Sequence, residues 1–166
     1  MKQLKTKKIK IKDLKAGMKI KTVKDGKIVL RDVIDVFNTE VAPEKQRLVE
    51  FENGTKLECS DNHPIMVSNG DVLFEVYPDN LSVKDSVVTD KGETKISSVK
   101  YNNTDVNYID VTVEDTHTFF VAENQESDMV LTHNCSQGGI RNASATFHYP
   151  IWHKDFSELI VLKDLS

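Results

Sequence analysis

The sequence is poor in several features that mark particular classes of protein. It has two cysteines, Cys59 and Cys135, among 166 residues, too few for a disulfide-stabilised scaffold. No apolar run approaches the roughly 20 residues that a membrane-spanning helix needs. The first residues, MKQLK, lack the hydrophobic core of a secretory signal. These absences predict a soluble cytoplasmic protein with free thiols and no membrane partner.

Acidic residues are almost missing from positions 1–24, which hold ten lysines and only Asp13, for a local charge of +9. Because the whole chain carries −4, residues 25–166 carry −13. The segment also lacks the arginines and aromatic residues that read or stack on bases, so it does not indicate a nucleic-acid partner. Its lysines alternate with Ile9, Ile11 and Leu14, which predicts a strand with one solvent-exposed face.

Helical periodicity is weak, and short strand-like runs prevail up to residue 134. Asp25-Gly26 is a strong hairpin signal, and Asn53-Gly54 separates two further runs. The predicted strands cover residues 8–12, 19–23, 28–37, 47–51, 56–59, 66–67, 73–76, 86–89, 96–100, 108–113, 119–122 and 130–132. Evenly spaced strands and turns predict an all-β domain over residues 1–134.

The character of the sequence changes after position 134. Residues 138–146 are small and polar, whereas residues 149–162 are rich in aromatic and aliphatic side chains. The chain has room for one domain of typical size, about 100 to 150 residues, and the last 32 are too few to bury their own core. We therefore expect a β domain at 1–134 and an appended segment at 135–166.

Three chemically versatile side chains meet at this boundary: His133, Asn134 and Cys135. An asparagine carboxamide can attack its own main-chain carbonyl, forming a succinimide and releasing the next residue. A neighbouring histidine that polarises the carbonyl or delivers a proton accelerates such a step by roughly 10²- to 10⁴-fold. A thiol beyond the cut can accept an acyl group once it is deprotonated. The order of these residues predicts a junction that cleaves and transfers acyl groups.

Three segments resemble motifs of one family, the inteins of the Hint fold. VLTHN at 130–134, followed by Cys135, resembles the C-terminal splice junction, and YIDVTVEDTHTFFVAEN at 108–124 resembles the block before it. LECSDNHPIMV at 57–67 resembles the Thr-x-x-His block, with Ser60 in the threonine position. The resemblance covers residues 8–134. It implies a horseshoe-like all-β fold of many short strands and a function in protein splicing.

The resemblance also implies roles at the downstream junction. Asn134 cyclises and cuts the chain, and Cys135 is the branching nucleophile. His117 and His133 assist the cyclisation, helped by backbone amides that stabilise the developing oxyanion. The structural alternative for Asn134 and Cys135 is a solvent-exposed tripeptide.

Roles at the upstream junction follow in the same way. The resemblance implies that His63 protonates the departing amide nitrogen and that Ser60 assists by hydrogen bonding. It implies that Asp110 tunes the thiol of Cys135 and couples the two junctions. The structural alternatives are a buried turn histidine stacked on Pro64 and a strand-end carboxylate paired with a lysine.

The opening that starts splicing in this family, a Cys or Ser followed by a short strand, has no counterpart here. KIKIKDLKAGMKI at 8–20 resembles the piece that normally follows it. The chain is then either naturally split or shortened. The +9 segment favours a split, with a short acidic N-terminal intein fragment that begins with Cys, carries the N-terminal extein and is attracted electrostatically. Splicing would then occur in trans, as a single-turnover autocatalytic reaction without cofactor.

Residues 135–166 resemble a different family, the large subunit of class I ribonucleotide reductase around its glycine-rich loop. The resemblance implies that they begin a C-terminal extein and that splicing ligates reductase exteins. No endonuclease insertion is expected, because the stretch between His63 and Asp110 is too short to hold one.

Two other functions are compatible with the sequence. A structural zinc site could draw on two sulfurs and two nitrogens, although the spacing differs from that of the usual Cys-x-x-Cys knuckles; its ligands would be Cys59, His63, His133 and Cys135. Alternatively, residues 1–134 could be a non-splicing passenger in a reductase fragment. The splicing hypothesis needs neither metal nor cofactor.

Overall fold

The computed structural model describes residues 3–70, 72–124, 126–134, 139–141 and 143–151. Its strands are β1 (Gln3–Lys10), β2 (Lys19–Lys24), β3 (Lys27–Glu40), β4 (Gln46–Phe51), β5 (Lys56–Ser60), β6 (Ile65–Ser68), β7 (Leu73–Val76), β8 (Ser86–Thr89), β9 (Gly92–Tyr101), β10 (Asn107–Val113), β11 (Thr118–Val121), β12 (Val130–His133), β13 (Ile140–Arg141) and β14 (Ser144–Ile151). Short 3-10 turns cover Ile11–Asp13, Pro43–Lys45 and Pro78–Asn80. These ranges contain no α-helix, so the predicted all-β class is confirmed.

The strands form one continuous antiparallel network. Its order is β1-β14-β2-β3-β10-β13-β5-β4-β9-β8-β12-β6-β7, with β11 added beside β12 and β8 also paired with β6. Many neighbours in this order are far apart in the sequence. For example, β10 pairs with β3, and β12 pairs with both β6 and β8. The arrangement brings the end of β12 close to the loop before β6.

Local turn chemistry sets the register of the first hairpin. Asp25 and Gly26 both have positive φ, 53° and 77°, as a two-residue connection between antiparallel strands requires. Lys24 therefore faces Lys27, and β2 pairs with β3 along its whole length. The register buries Ile20 and Thr22 while the lysines of β2 stay at the surface or half-buried.

The core is filled by alternate residues of most strands. The larger cluster joins residues such as Ile20, Val49, Val111 and Phe119, and a smaller one contains Met66, Phe120, Ala122, Met129 and Leu131. Strands β11 and β12 are buried on both faces, so they carry nearly continuous apolar runs instead of alternation. The candidate site lies at the C-terminal end of β12 and the N-terminal end of β11, where Thr118 pairs with His133.

The structure differs from the sequence prediction at both ends of the described chain. The predicted strand 8–12 stops at Lys10, because the backbone turns at Ile11–Asp13 to bury Ile11. Beyond residue 134, β13 and β14 pair with strands of the β domain, although the small, polar composition of this segment did not predict strands. Within the described ranges, no helix is long and apolar enough to cross a membrane.

Candidate active site

Four separate segments converge at the end of β12. The His133 amide donates to the Pro64 carbonyl at 3.0 Å, which joins β12 to the loop before β6. The Asn134 amide donates to the His117 carbonyl at 2.8 Å, which joins it to the turn before β11. Main-chain hydrogen bonds are directional, so these contacts fix where the side chains of His133 and Asn134 project.

Both oxygen atoms of Asn134 are held. Its side-chain Oδ1 accepts a hydrogen bond from the Val113 amide at 3.3 Å, at the end of β10. Its main-chain carbonyl oxygen lies 2.6 Å from Nδ1 of His133. A donor on the carbonyl oxygen makes the carbonyl carbon more electrophilic and stabilises the charge that develops on attack. The structure thus places the predicted helper histidine against the bond that it is predicted to activate.

The other ring nitrogen of His133 contacts a residue that sequence analysis missed. Its Nε2 lies 2.9 Å from Oε1 of Glu75, on β7. A carbonyl oxygen and an ionised carboxylate are both acceptors, so both contacts are hydrogen bonds only when both ring nitrogens carry hydrogens, as in the imidazolium form. Nothing in the local sequence of β7 marks Glu75, since its position depends on the pairing of β7 with β6.

A strained turn presents His117. Asp115 and His117 both have positive φ, 66° and 56°, a conformation that costs a non-glycine residue energy unless its surroundings impose it. The Asp115 carboxylate is held by Lys24 at 2.6 Å and by Arg31 at 2.9 Å, and hydrogen bonds first from Lys24 and then from Arg31 lower its pKa. The His117 ring centroid consequently lies 6.2 Å from that of His133.

His63 is buried beside this pair. It is 1% exposed, and neither ring nitrogen has a hydrogen-bond partner among the described residues. Burial, followed by repulsion from His133, lowers its pKa to about 3. The His63 ring is therefore neutral at neutral pH in this state of the chain. The role of His63 as a proton donor at the upstream junction stays a prediction. In this state of the chain, the group that can donate a hydrogen bond is the N–H of the neutral ring.

Ser60 lies against the segment that follows the junction. Its hydroxyl donates to Asn62 Oδ1 at 2.7 Å and accepts a hydrogen bond from the Gly139 amide at 3.2 Å. The Ser60 amide in turn donates to the Gly139 carbonyl at 3.1 Å. Ser60, the proposed helper at the upstream junction, is therefore hydrogen-bonded to the backbone of Gly139, which follows the downstream junction in the sequence.

Asp110 and Cys135 complete the predicted set. Asp110 is 1% exposed and lies on β10, opposite Phe37 of β3. It precedes Val113, the Asn134 contact, on the same strand. Cys135 lies outside the described residues, so the proposed effect of Asp110 on its thiol stays a prediction.

The described residues give no support to the zinc hypothesis. In the parts of the chain that the structure describes, no group of three or more His, Cys, Asp or Glu side chains could hold a metal ion. Cys59 on β5 forms no disulfide among the described residues and is fully buried in the larger core cluster, where a cysteine packs as a small apolar side chain.

Solved structures with similar folds decide what this architecture is. A bacterial intein-like domain from Clostridium thermocellum matches with a TM-score of 0.61 at 20% identity, over 81% of this chain and 99% of that one. The fold is that of the inteins. The same intein fold is found in a DnaB intein from Synechocystis sp. PCC 6803, with a TM-score of 0.60 at 22% identity over 76% of this chain and 86% of that one. At such identities the similarity confirms the predicted fold.

Sequence comparison finds a second relationship. A segment of 31 residues, 19% of this chain, is 58% identical to the alpha subunit of ribonucleoside-diphosphate reductase from Enterobacteria phage T4 and 52% identical to that of Escherichia coli. The match spans only 4% of the length of these relatives. Its extent agrees with the 32 residues for which a reductase resemblance was predicted. No protein-family profile matches the chain.

Proposed function

We propose that the chain is a protein-splicing element followed by the start of a ribonucleotide reductase extein. The intein fold and the 31-residue similarity to reductase alpha subunits support this function at the coarse level. The observation that carries the proposed chemistry is the 2.6 Å contact between His133 Nδ1 and the main-chain oxygen of Asn134.

The proposed cleavage uses atoms that lie at the end of β12. The side-chain nitrogen of Asn134 attacks its own main-chain carbonyl carbon and forms a five-membered succinimide. The attacking nitrogen loses one proton, the bond to the nitrogen of residue 135 breaks, and that nitrogen takes up one proton and leaves as an amine, so no proton is gained or lost overall. His133 donates to the carbonyl oxygen throughout, and the Val113 amide orients the carboxamide through Oδ1. Such positioned donors are most effective when they are fixed before reaction.

Full splicing requires a partner fragment in addition to this cleavage step. The charge of +9 over residues 1–24 supports a short, acidic partner fragment, which we propose begins with Cys and carries the N-terminal extein. An acyl shift onto that cysteine precedes transfer to Cys135, Asn134 cyclisation releases the branched intermediate, and a sulfur-to-nitrogen shift restores a peptide bond. His63, Ser60 and Asp110 would act at the first two steps. Each molecule reacts once.

Mass spectrometry of the purified chain tests the cleavage step. We expect slow release of residues 135–166, and a larger fragment that is lighter than its hydrolysed form by one water, as a terminal succinimide requires. Asn134→Ala should abolish the release, while Asn103→Ala, at an exposed asparagine, should not. Release that persists in Asn134→Ala would refute the proposed function.

A synthetic peptide tests the partner. A Cys-initiated acidic peptide of about 15 to 30 residues, linked to a short extein, should yield a ligated product with the chain. High salt should slow its association, since screening shortens the reach of charges to about 3 Å at 1 M. A neutral peptide of equal length is the control. A ligated product in Cys135→Ala would contradict the branching role of that thiol.

A further inference from the structure

The turn that carries His117 is joined to the β2–β3 hairpin by an ionic contact. The Asp115 carboxylate, which precedes His117 by two positions, contacts Lys24 on β2 at 2.6 Å and Arg31 on β3 at 2.9 Å. Both contacts reach the same oxygen, Oδ2. They link positions that lie 91 and 84 residues apart in the sequence, so the tertiary fold is what brings them together.

Buried hydroxyl groups join the same turn to the hairpin on both sides of His117. Thr22 on β2 is fully buried. Its hydroxyl oxygen lies 3.1 Å from that of Thr116 and 2.7 Å from that of Thr118. A buried hydroxyl that loses its hydrogen bond is costly, so these contacts hold residues 116 and 118 against β2. We call the side chains of Thr22, Lys24 and Arg31 the hairpin clamp.

The turn that the hairpin clamp holds is one that would otherwise relax. It begins where the Glu114 amide donates to the Asp32 carbonyl at 3.0 Å, and both Asp115 and His117 then adopt positive φ. Such a conformation persists only where the surroundings impose it. Relaxation at either position would rotate the adjoining peptide units and redirect the main-chain carbonyl of His117.

That carbonyl is the contact through which the turn reaches the cleavage site. It accepts the hydrogen bond from the Asn134 amide at 2.8 Å, and the next residue, Thr118, pairs with His133. The main chain of Asn134 is thus fixed by the turn, while its side-chain oxygen is fixed by Val113. Cyclisation needs the carboxamide nitrogen close to the main-chain carbonyl carbon, and small displacements from such a geometry are costly in rate.

We propose that the hairpin clamp positions Asn134 for cyclisation by holding the His117 turn in its strained conformation. Thr22, Lys24 and Arg31 are then positioning residues, because they act through the turn. This inference rests on the proposed function and extends its site to the first hairpin of the fold. The cleavage rate follows the fraction of molecules in which the turn is held, since the relaxed turn leaves Asn134 misplaced.

Cleavage rates of full-chain variants test the ionic part of the hairpin clamp. Asp115→Asn keeps a residue type that tolerates positive φ but removes the charge that Lys24 and Arg31 contact. We expect it to release residues 135–166 more slowly, on the order of fivefold. Asp25→Asn is the matched control, because Asp25 is exposed, has positive φ and lies in the same hairpin. Its rate should equal that of the parent.

Two substitutions of Thr22 test the hydroxyl part. Thr22→Val keeps the size and the branching of the side chain but removes the hydroxyl, and should also slow release on the order of fivefold. Thr22→Ser keeps the hydroxyl and should recover most of the parent rate. Urea denaturation of each variant ensures that rates are compared between folded chains.

Nuclear magnetic resonance of the isotope-labelled full chain follows the hydrogen bond itself. The main-chain amide proton of Asn134 reports its bond to the His117 carbonyl through its chemical shift and its exchange with solvent. We expect it to shift and to exchange faster, on the order of fivefold, in Asp115→Asn and Thr22→Val but not in Asp25→Asn. A merely structural role of the hairpin clamp would instead speed exchange throughout the sheet, including the distant β4.

The outcomes separate this inference from the proposed function. Cleavage at the parent rate in both Asp115→Asn and Thr22→Val, or slow cleavage with an unchanged Asn134 amide, would overturn the positioning role. Release that Asn134→Ala abolishes would still support the splicing function in that case. The amide measurement needs no cleavage, so a shifted Asn134 amide in the two variants would support the hairpin clamp even if release proved independent of the Asn134 side chain.

Discussion

Glu75 Oε1 lies 2.9 Å from Nε2 of His133, whose other nitrogen contacts the carbonyl oxygen of Asn134. Both contacts are with oxygen acceptors, so each is a hydrogen bond when the ring nitrogen that faces it carries a hydrogen. The His117 ring lies 6.2 Å from that of His133, and the buried His63 beside them is neutral at neutral pH. Among the described residues, Glu75 is a carboxylate in direct contact with His133.

Glu75→Gln should slow release of residues 135–166. The Glu75 side chain is half-exposed, so the pair contributes at most about 1 kcal/mol, or roughly fivefold in rate. Glutamine keeps an oxygen acceptor for Nε2 of His133 but removes the negative charge. The measurement is the cleavage rate of the parent and the variant at one pH. An unchanged rate would contradict a role for Glu75 in positioning His133.

His117→Gly and His117→Ala should differ in stability although both remove the ring. At a φ of 56°, glycine relieves the strain that alanine retains, so the glycine variant should be more stable by about 1 kcal/mol. Urea denaturation of the two variants measures this difference. An alanine variant of equal or greater stability would show that the positive φ carries no strain.

The buried His63 should make the fold sensitive to acid. Burial lowers its pKa from the ordinary 6.5 to about 3 in the folded chain, so the unfolded chain binds the extra proton as pH falls below about 6.5. The contribution of His63 to the free energy of unfolding is fully present above that pH. It declines below that pH, by about 2 kcal/mol between pH 7 and pH 5.

His63→Leu should remove that part of the acid dependence. Denaturation of both proteins at each pH isolates the contribution of His63 from that of other groups. Equal losses of stability in the variant and the parent would show that His63 titrates normally in the folded chain.

Arg47→Lys should destabilise the fold by about 1 to 3 kcal/mol. The guanidinium of Arg47 binds both oxygens of Asp79, at 2.7 and 3.0 Å, and it lies 4.4 Å from the centre of the Tyr101 ring. It also donates to two main-chain carbonyls. Lysine lacks the planar, forked set of donors and cannot make all of these hydrogen bonds at once. The Asp79 contact raises the pKa of Arg47, so its charge persists over the accessible range.

Denaturation midpoints of Arg47→Lys and of Lys100→Arg, at an exposed ion pair with Glu50, provide the comparison. The surface substitution should have little effect. Equal effects of the two changes would contradict a special role for the buried guanidinium.

The sequence predicted a turn or strand correctly where the cause of that element lies in a few neighbouring residues. The Asp25-Gly26 turn and the strand over Leu73–Val76 appear as predicted, because turn residues and alternation act within a few positions. The end of β1 at Lys10 was missed, since the turn at Ile11–Asp13 depends on a contact of Ile11 with Ala143. β13 and β14 were missed for the same reason. Their extended form depends on pairing with β5 and β10 and with β1 and β2, which lie far away in the sequence.

By itself the sequence determined the strand-rich class and the chemical groups of the junction, because propensity, turn residues and the order of His133 and Asn134 are properties of neighbouring positions. Tertiary structure alone decided that Glu75 contacts His133, that His117 adopts a positive φ, and that β13 and β14 pair with strands far away in the sequence. Those features depend on pairing between strands far apart in the chain, whose register is set by the whole buried core.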